Sequence, residues 1–417
     1  MEKIRIGILG AGRSATMGKS FALAGAEVVA LCDFDEKRLA VGLKRVGESA
    51  TPYTDFDKFI EHDMDAVVIG NYFHEHAPYA IKALKKGIHV FSECMAAGTM
   101  AECVELVKAA EESNAIYMLG ENFPSMIFNL EMKKIVEGGT LGKIIYAEGE
   151  YNHPVDAYDT KFFKEYIYTS THWRNYVSRN YYITHSLGPI MASTGATPKR
   201  VTSFSTFVPF PEDAPSGRYY ADRAAIIMTQ NDDGSVFKFT GCAAFGAHGD
   251  SYRICGTEGQ VENLRGMGNK IMLRYNAWSK PEGMDENNLI ELKWEDKDPD
   301  AELIKKTGHG GGDYVIARYF LNLIRENKKP DMPYDVYSAV TMSAVSILSH
   351  RSMLEGGQPY DIPDFRLEED RKKYENDRLS PFYLSDGTAP TLPCCSHPDY
   401  KPSDEQLRKF KELIGEI

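Results

Sequence analysis

The chain has 417 residues, enough for two domains, and its 43% hydrophobic and 26% charged content is that of an ordinary globular protein. A formal net charge of −12 argues against nucleic acid or an anionic membrane as partner, because both need basic surface. No stretch approaches the ~20 apolar residues of a membrane span. A first strand expected from about residue 3 leaves no room for a signal peptide. Seven scattered cysteines without a Cys-x-x-Cys pair predict reduced thiols and a cytoplasmic location. The Cys394-Cys395 pair is expected in an exposed tail.

The apolar run 4–9 leads directly into Gly10-Ala11-Gly12-Arg13-Ser14-Ala15, and Asp33 ends the next apolar run, 27–32. Strand, glycine turn, helix, strand and acid in this order form a dinucleotide-binding pattern. Gly10 permits the tight turn, Gly12 lets backbone approach a pyrophosphate, and Ala15 lets helix and strand pack closely. Arg13 and Ser14 open the helix, whose free N–H groups face the phosphates. Asp33, 23 residues past Gly10, is placed to bind both ribose hydroxyls of NAD and to repel the 2′-phosphate of NADP. Further apolar runs at 66–69, 89–92 and 116–119 alternate with helical patterns at 78–86 and 100–113. This predicts a parallel sheet covered on both faces. Its strand ends, where ligands bind in such sheets, carry Asn71, Glu93 and Glu121-Asn122; of these Asn71, Glu93 and Asn122, with His76, are further cofactor-site candidates.

The rhythm changes after Asn122. A helix at 126–137 is followed by predicted strands at 144–151, 201–208, 224–230, 236–242, 252–255 and 270–275, with a hairpin turn at 231–234. Helices follow at 313–325 and 336–350, the second apolar nearly all round and therefore buried. Residues 366–417 are charged, then rich in proline and turn formers, and read as a surface-wrapping extension with a final helix at 405–414. The expected fold is α/β. A Rossmann domain (1–122) with a parallel sheet precedes an α+β substrate and oligomerisation domain (123–365) with an open, mostly antiparallel sheet, then an extension (366–417). An open sheet would expose an apolar face, so a homo-oligomer is expected.

Reactive side chains concentrate in Tyr151-Asn152-His153, His172-Trp173-Arg174 and 181–189. Tyr182 and His185, three apart, share a face if that turn is helical. Histidine can take a proton at neutral pH, whereas tyrosine needs a cation such as Arg174 or a positive nicotinamide to lower its pKa. His153 and Arg174 read equally as sugar contacts or as buried hydrogen-bond partners. His309 either reaches substrate or fixes its glycine loop, with Asp313 expected as a helix N-cap. No metal cluster with sensible ligand spacing is present.

These motifs resemble the Gfo/Idh/MocA oxidoreductases over roughly residues 1–365. The resemblance rests on Gly7-Ile8-Leu9-Gly10-Ala11-Gly12, Met64-Asp65-Ala66-Val67-Val68-Ile69 and the run from Ala83 to Glu93. Sugar dehydrogenases of that family continue with Lys-Pro, where this chain has Cys94-Met95. They also carry an aspartate where this chain has Tyr181. One branch departs in the same way, the NAD-dependent α-N-acetylgalactosaminidases. The chain is similar to them at Glu93-Cys94-Met95-Ala96-Ala97, Glu121-Asn122, the run from Glu148 to His153, the run from Tyr182 to Pro189, and Gly308-His309-Gly310-Gly311-Gly312-Asp313-Tyr314. The resemblance implies NAD as cofactor and Tyr182 and His185 as the catalytic pair, with Glu121, Tyr151, His153 and His309 around a sugar. It implies redox-neutral glycoside cleavage: oxidation at C3, elimination, hydration and re-reduction. A net sugar oxidoreductase and a non-catalytic NAD and sugar sensor are the competing expectations. The insert at 156–179 and the tail lie outside the resemblance, so the sugar specificity does not transfer.

Overall fold

The structure is a computed structural model and describes residues 3–47 and 49–417. Six short strands form the first sheet: β1 (Arg5–Leu9), β2 (Glu27–Cys32), β3 (Thr51–Tyr53), β4 (Ala66–Ile69), β5 (His89–Ser92) and β6 (Tyr117–Leu119). All are parallel, in the order β3-β2-β1-β4-β5-β6. Successive side chains point to opposite faces, so each strand feeds two cores. Ile6, Ile8, Ala66, Val68 and Phe91 pack on one side with Met17, Phe21, Ile316 and Phe320. Leu9, Val67, Ile69 and Val90 pack on the other with Ala77, Ala80, Val104 and Val107. Phe21, Phe91 and Phe320 meet edge to face, at 5.1, 5.6 and 6.1 Å between centroids. The helix bearing Ile316 and Phe320, Gly312–Glu326, belongs by sequence position to the second domain yet covers the first sheet. Strand order reverses between β1 and β4, and that reversal opens the crevice in which such folds bind ligands.

The second sheet has nine strands: β7 (Ile144–Asn152), β8 (Pro198–Phe207), β9 (Asp222–Asn231), β10 (Val236–Ala243), β11 (Gly249–Gly256), β12 (Gly259–Asn263), β13 (Lys270–Tyr275), β14 (Asn287–Glu291) and β15 (Tyr360–Asp361). The order is β14-β13-β12-β11-β7-β10-β9-β8-β15, and only β7 and β10 run parallel. The expected hairpin joins β9 to β10. Strands β3, β12, β14 and β15 are too short or too polar to have shown as periodic runs. Gly149 on β7 lies against helix Thr184–Thr194, where a Cβ would meet the Ser186 carbonyl at 2.2 Å. Glycine there seats that helix directly on the sheet. Helix Val336–Leu354 is buried from Ser338 to Met353, as its all-round apolar pattern required.

Three expectations need correction. The open face of the second sheet is largely polar, with Glu148 paired to Lys238 and Arg253 and Glu262 to Arg274. Its exposed apolar side chains lie at the two ends, Phe204 and Met228 at one and Leu289 at the other. Cys394 and Cys395 are buried, because the extension is not an exposed tail. It clasps both sheets' layers. Arg371 pairs with Glu111, the Tyr383 carbonyl accepts from His74, and Ser385 N–H donates to Glu75 on the first. Asp377 pairs with Arg351, Ser396 N–H donates to Asp222, and Phe410 packs on Phe163 on the second. Phe382 lies between them, stacked on His74 and edge-on to Tyr181. Finally, Asp313 is not an N-cap. Gly311 occupies that position, and the Asp313 carboxylate is buried and turned toward Arg13. Among the described residues no helix is long and apolar enough to cross a membrane.

Candidate active site

The glycine turn has the geometry its spacing predicts. Gly10 has φ +99°, and a Cβ there would stand 2.5 Å from the Gly70 carbonyl oxygen. Helix Arg13–Leu23 begins at Gly12 without a side-chain cap, which leaves its first N–H groups free for an anion. Ala15 is fully buried against the sheet. The Asp33 carboxylate accepts the Ala11 N–H at 2.8 Å and so sits over the turn at the end of β2. Around the crevice, Ser14 Oγ, both polar atoms of Asn71 and His76 Nε2 are buried without partners. Buried polar groups are rarely left so unless a ligand serves them. These orphans and the glycine cradle fit a dinucleotide. His76 Nδ1 is bonded to the Met95 carbonyl, and burial lowers its pKa to about 4, keeping the imidazole neutral.

Two candidates from the sequence have their side chains engaged elsewhere. The Arg13 guanidinium is bidentate on Asp313, at 2.7 and 2.8 Å, and lies 3.1 Å from Glu93 Oε1. Asn122 Nδ2 donates to Asp313 at 2.7 Å. Asp313 is therefore a hub. Burial alone would raise its pKa, but Arg13 and His309 outweigh burial and hold it well below the usual carboxylate range. Burial raises Glu93, with Arg13 opposing. The hub ties the glycine loop to the helix that carries the His309 loop, so Arg13 and Asn122 shape the crevice through Asp313.

His185 is held on every side. Its Nδ1 lies 2.8 and 3.0 Å from the two oxygens of Glu121, which is fully buried. Burial would raise Glu121, but His185 and further donors from Cys94 and Phe123 N–H reverse the sign and keep it ionised. An ionised carboxylate only accepts, so Nδ1 carries the hydrogen of this bond and Nε2 is the nitrogen from which a proton is gained or lost. Phe123 stacks on the ring at 4.2 Å, Tyr151 and Tyr182 meet it edge-on at 5.0 and 5.6 Å, and Tyr252 OH donates to its carbonyl. Tyr182 ends the short 3-10 turn Arg179–Tyr182, and its ring lies beside that of His185. Burial raises the Tyr182 phenol above its ordinary value, and Arg174 offsets this only in part. The expected lowering is therefore absent from the protein's own residues.

The remaining candidates surround this pair. Tyr151 stacks on His153 at 5.8 Å, and burial lowers His153 to about 4. Arg174 lies over the Trp173 ring, and Trp173 stacks on Phe73, which faces Tyr182. His309 is exposed, with Nδ1 3.1 Å from Asp313. The sequence reading missed Phe123, Tyr252 and Asp250. Asp250 pairs opposite Tyr151 in the sheet, and burial raises its carboxyl. Only Phe123 had a local signal, since it follows Glu121-Asn122.

Comparison with known proteins agrees with this geometry. Residues 4–121 match the oxidoreductase family NAD-binding Rossmann fold, and residues 248–371 match the glycosyl hydrolase 109 C-terminal domain. The chain is 28% identical over 401 residues to a glycosyl hydrolase family 109 protein of Saccharopolyspora erythraea, covering 87% of this chain and 83% of that one. It is 29% identical over 411 residues to an alpha-N-acetylgalactosaminidase of Tannerella forsythia, covering 87% and 86%. Among solved structures, a levoglucosan dehydrogenase in complex with NADH and levoglucosan superposes with TM-score 0.73 at 16% identity, over 87% of this chain and 100% of that one. The aldose-aldose oxidoreductase of Caulobacter crescentus gives 0.66 at 17%, over 86% and 100%. At such identities the two structures establish the fold. With the cofactor cradle in its first sheet, the chain carries the NAD-binding Rossmann fold of the Gfo/Idh/MocA oxidoreductases at residues 4–121 and a glycosyl hydrolase 109 C-terminal domain at 248–371, and it is similar to glycosyl hydrolase family 109 proteins over 87% of its length.

Proposed function

We propose that the protein cleaves a small glycoside by a redox-neutral route, with C3 of the sugar oxidised, the C1 substituent eliminated, water added and C3 reduced again. The observation that carries this reading is the Glu121–His185 pair, in which a buried carboxylate holds Nδ1 and leaves Nε2 as the ring nitrogen for proton exchange. When bound, NAD supplies reversible hydride acceptance. His185 Nε2 takes the C3 hydroxyl proton as the ketone forms and returns it on re-reduction. Glu121 fixes the tautomer and stabilises the imidazolium while the proton is held. A C3 ketone acidifies the C2 proton, and Tyr182 is the candidate base for it. Arg174 favours its phenolate and burial opposes it, so this step gains with rising pH. Loss of the C2 proton expels the aglycone, and no flanking carboxylate pair is required.

The relatives named as glycosyl hydrolases and as an alpha-N-acetylgalactosaminidase support cleavage over net oxidation. The site residues, the division at 122 and 365, and a cytoplasmic homo-oligomer remain part of this proposal. The test is turnover of an aryl glycoside panel in D₂O. Deuterium at C2 of the product without net NADH is expected. Net NADH with the glycosidic bond intact would replace this reading with a sugar oxidoreductase.

A further inference from the structure

Four arginines gather behind the Tyr182 wall without a carboxylate partner. Arg179 and Arg218 are buried, at 6% and 4% exposure, and both lie 5.6 Å from the centre of the Tyr220 ring. Arg218 and Arg223 share the Phe210 ring, at 5.6 and 3.7 Å. Arg174, half-buried over Trp173, is the member that acts electrostatically on Tyr151, His153 and Tyr182. Among the described residues none of the four has a carboxylate oxygen within 4 Å of its side-chain nitrogens, whereas the Arg13, Arg318, Arg351 and Arg371 side chains are all paired. The neighbouring acid, Asp222, gives Arg179 only its backbone carbonyl, and its carboxylate accepts from Ser396. The Cys242 thiol near Arg179 is neutral, since burial raises it. Arg218 Nε is buried with no partner at all.

Buried charge without a counter-charge is costly, and in a chain of net charge −12 it is conspicuous. The cluster also adjoins the candidate site by construction. Arg179 opens the 3-10 turn that ends at Tyr182, and Cys242 lies at the end of β10, whose Ala243 carbonyl accepts from His153 N–H. Gly241 makes this approach possible, since a Cβ there would meet the Arg179 carbonyl at 2.4 Å.

We infer that this wall is a subsite for an anionic oxygen group on the substrate, a carboxylate or a sulfate ester outside the reacting C1–C3 edge of the sugar. Arg174 makes the direct contact, and Arg179 and Arg218 supply the field behind it. The inference rests on the proposed function for the location of the sugar and adds that the sugar is acidic.

The test uses the NAD-loaded protein. Calorimetric binding of D-glucuronate, D-galacturonate and glucose 6-sulfate is compared with glucose and galactose, at low and raised salt, and kcat/KM is compared for matched aryl uronides, aryl 6-sulfates and neutral aryl glycosides. An acidic probe is expected to bind at least about tenfold tighter than its neutral analogue, the worth of one charge-assisted hydrogen bond. The margin should shrink with salt and collapse in Arg174→Gln. Carboxylate against sulfate is decided by which probe gains more. Equal or weaker binding of all acidic probes, or a margin indifferent to salt, overturns the inference. The salt arm reads the unmodified protein, so it stands if Arg174→Gln fails to fold. Acidic probes that bind without any C2 exchange would leave the subsite in place and refute the cleavage reaction instead.

Discussion

Glu121→Gln removes one charge at the centre of the site and almost nothing else. Glu121 Oε1 accepts from both His185 Nδ1 and Phe123 N–H, and Oε2 from the Cys94 thiol. A glutamine can keep its amide oxygen in the Oε1 position and turn its NH₂ to the sulfur, so shape and donor count survive. What is lost is the charge-assisted part of the bond to His185. Hydrogen bonds to charged groups contribute about 1.5–3 kcal/mol against about 1 for neutral ones. The difference, about 0.5–2 kcal/mol, is felt when the imidazole carries a proton and corresponds to roughly a 2- to 30-fold loss in kcat. Steady-state kinetics against pH, with melting temperature and NAD affinity as controls, read this directly. A kcat equal to the parent's at every pH would refute the assignment of Glu121 as the residue that positions His185.

Asp33→Ser should raise affinity for NADP relative to NAD by at least about tenfold, or about 1.4 kcal/mol. The carboxylate that repels a 2′-phosphate is gone, and Arg38, 3.9 Å from Asp33, stands ready to meet that phosphate; fluorescence titration with both reduced cofactors gives the ratio. His74, His76 and His350 are buried, and burial lowers them to about 3, 4 and 4. The unfolded chain therefore binds protons between about pH 6.5 and 4 that the native state refuses. Stability should fall with acidification across that window by about 1.4 kcal/mol per pH unit per imidazole, visible in urea unfolding midpoints before the carboxylates titrate. Asp313, whose folded pKa is depressed, adds stability that is complete above the ordinary carboxylate value and is lost as pH falls below it. Light scattering at micromolar concentration should report more than one subunit, with Phe204→Glu, placed at one apolar end of the open face, shifting it toward monomer.

The parts of the fold legible in the sequence were those whose cause is local. The glycine turn, the acid at the end of β2, the hairpin and the buried helix Val336–Leu354 all follow from spacing within one element or between neighbours. The links that make the site are distant. Arg13 reaches Asp313 across 300 residues, and His185 reaches Glu121 across 64. An Asp just after a glycine run reads as a cap because nothing local says a guanidinium awaits it. Glu121 reads as a sugar ligand for the same reason, until its burial shows that its oxygens are already occupied. The polarity of the second sheet's open face was missed because Lys238, Glu148 and Arg253 come from three strands and neutralise one another only once paired. The final helix was read correctly from its sequence, but the burial of Cys394 and Cys395 depends on Tyr219 and Ala221, some 175 residues earlier.

The clasp formed by residues 366–417 would bear on the residence time of a bound cofactor wherever exchange needs the two layers to part. Separating the two layers around the crevice means withdrawing Phe382 from His74 and Tyr181 and breaking the Arg371–Glu111 and Arg351–Asp377 pairs in one motion. An exchange path that must first undo these contacts is slow even when affinity is modest, since the barrier and the equilibrium are set by different groups. For a reaction that returns its hydride at each cycle, slow exchange is an advantage, because a cofactor lost between the two hydride transfers would leave a half-processed sugar behind. On the proposed reaction, a clasp of this kind would set how many cycles one bound nucleotide completes.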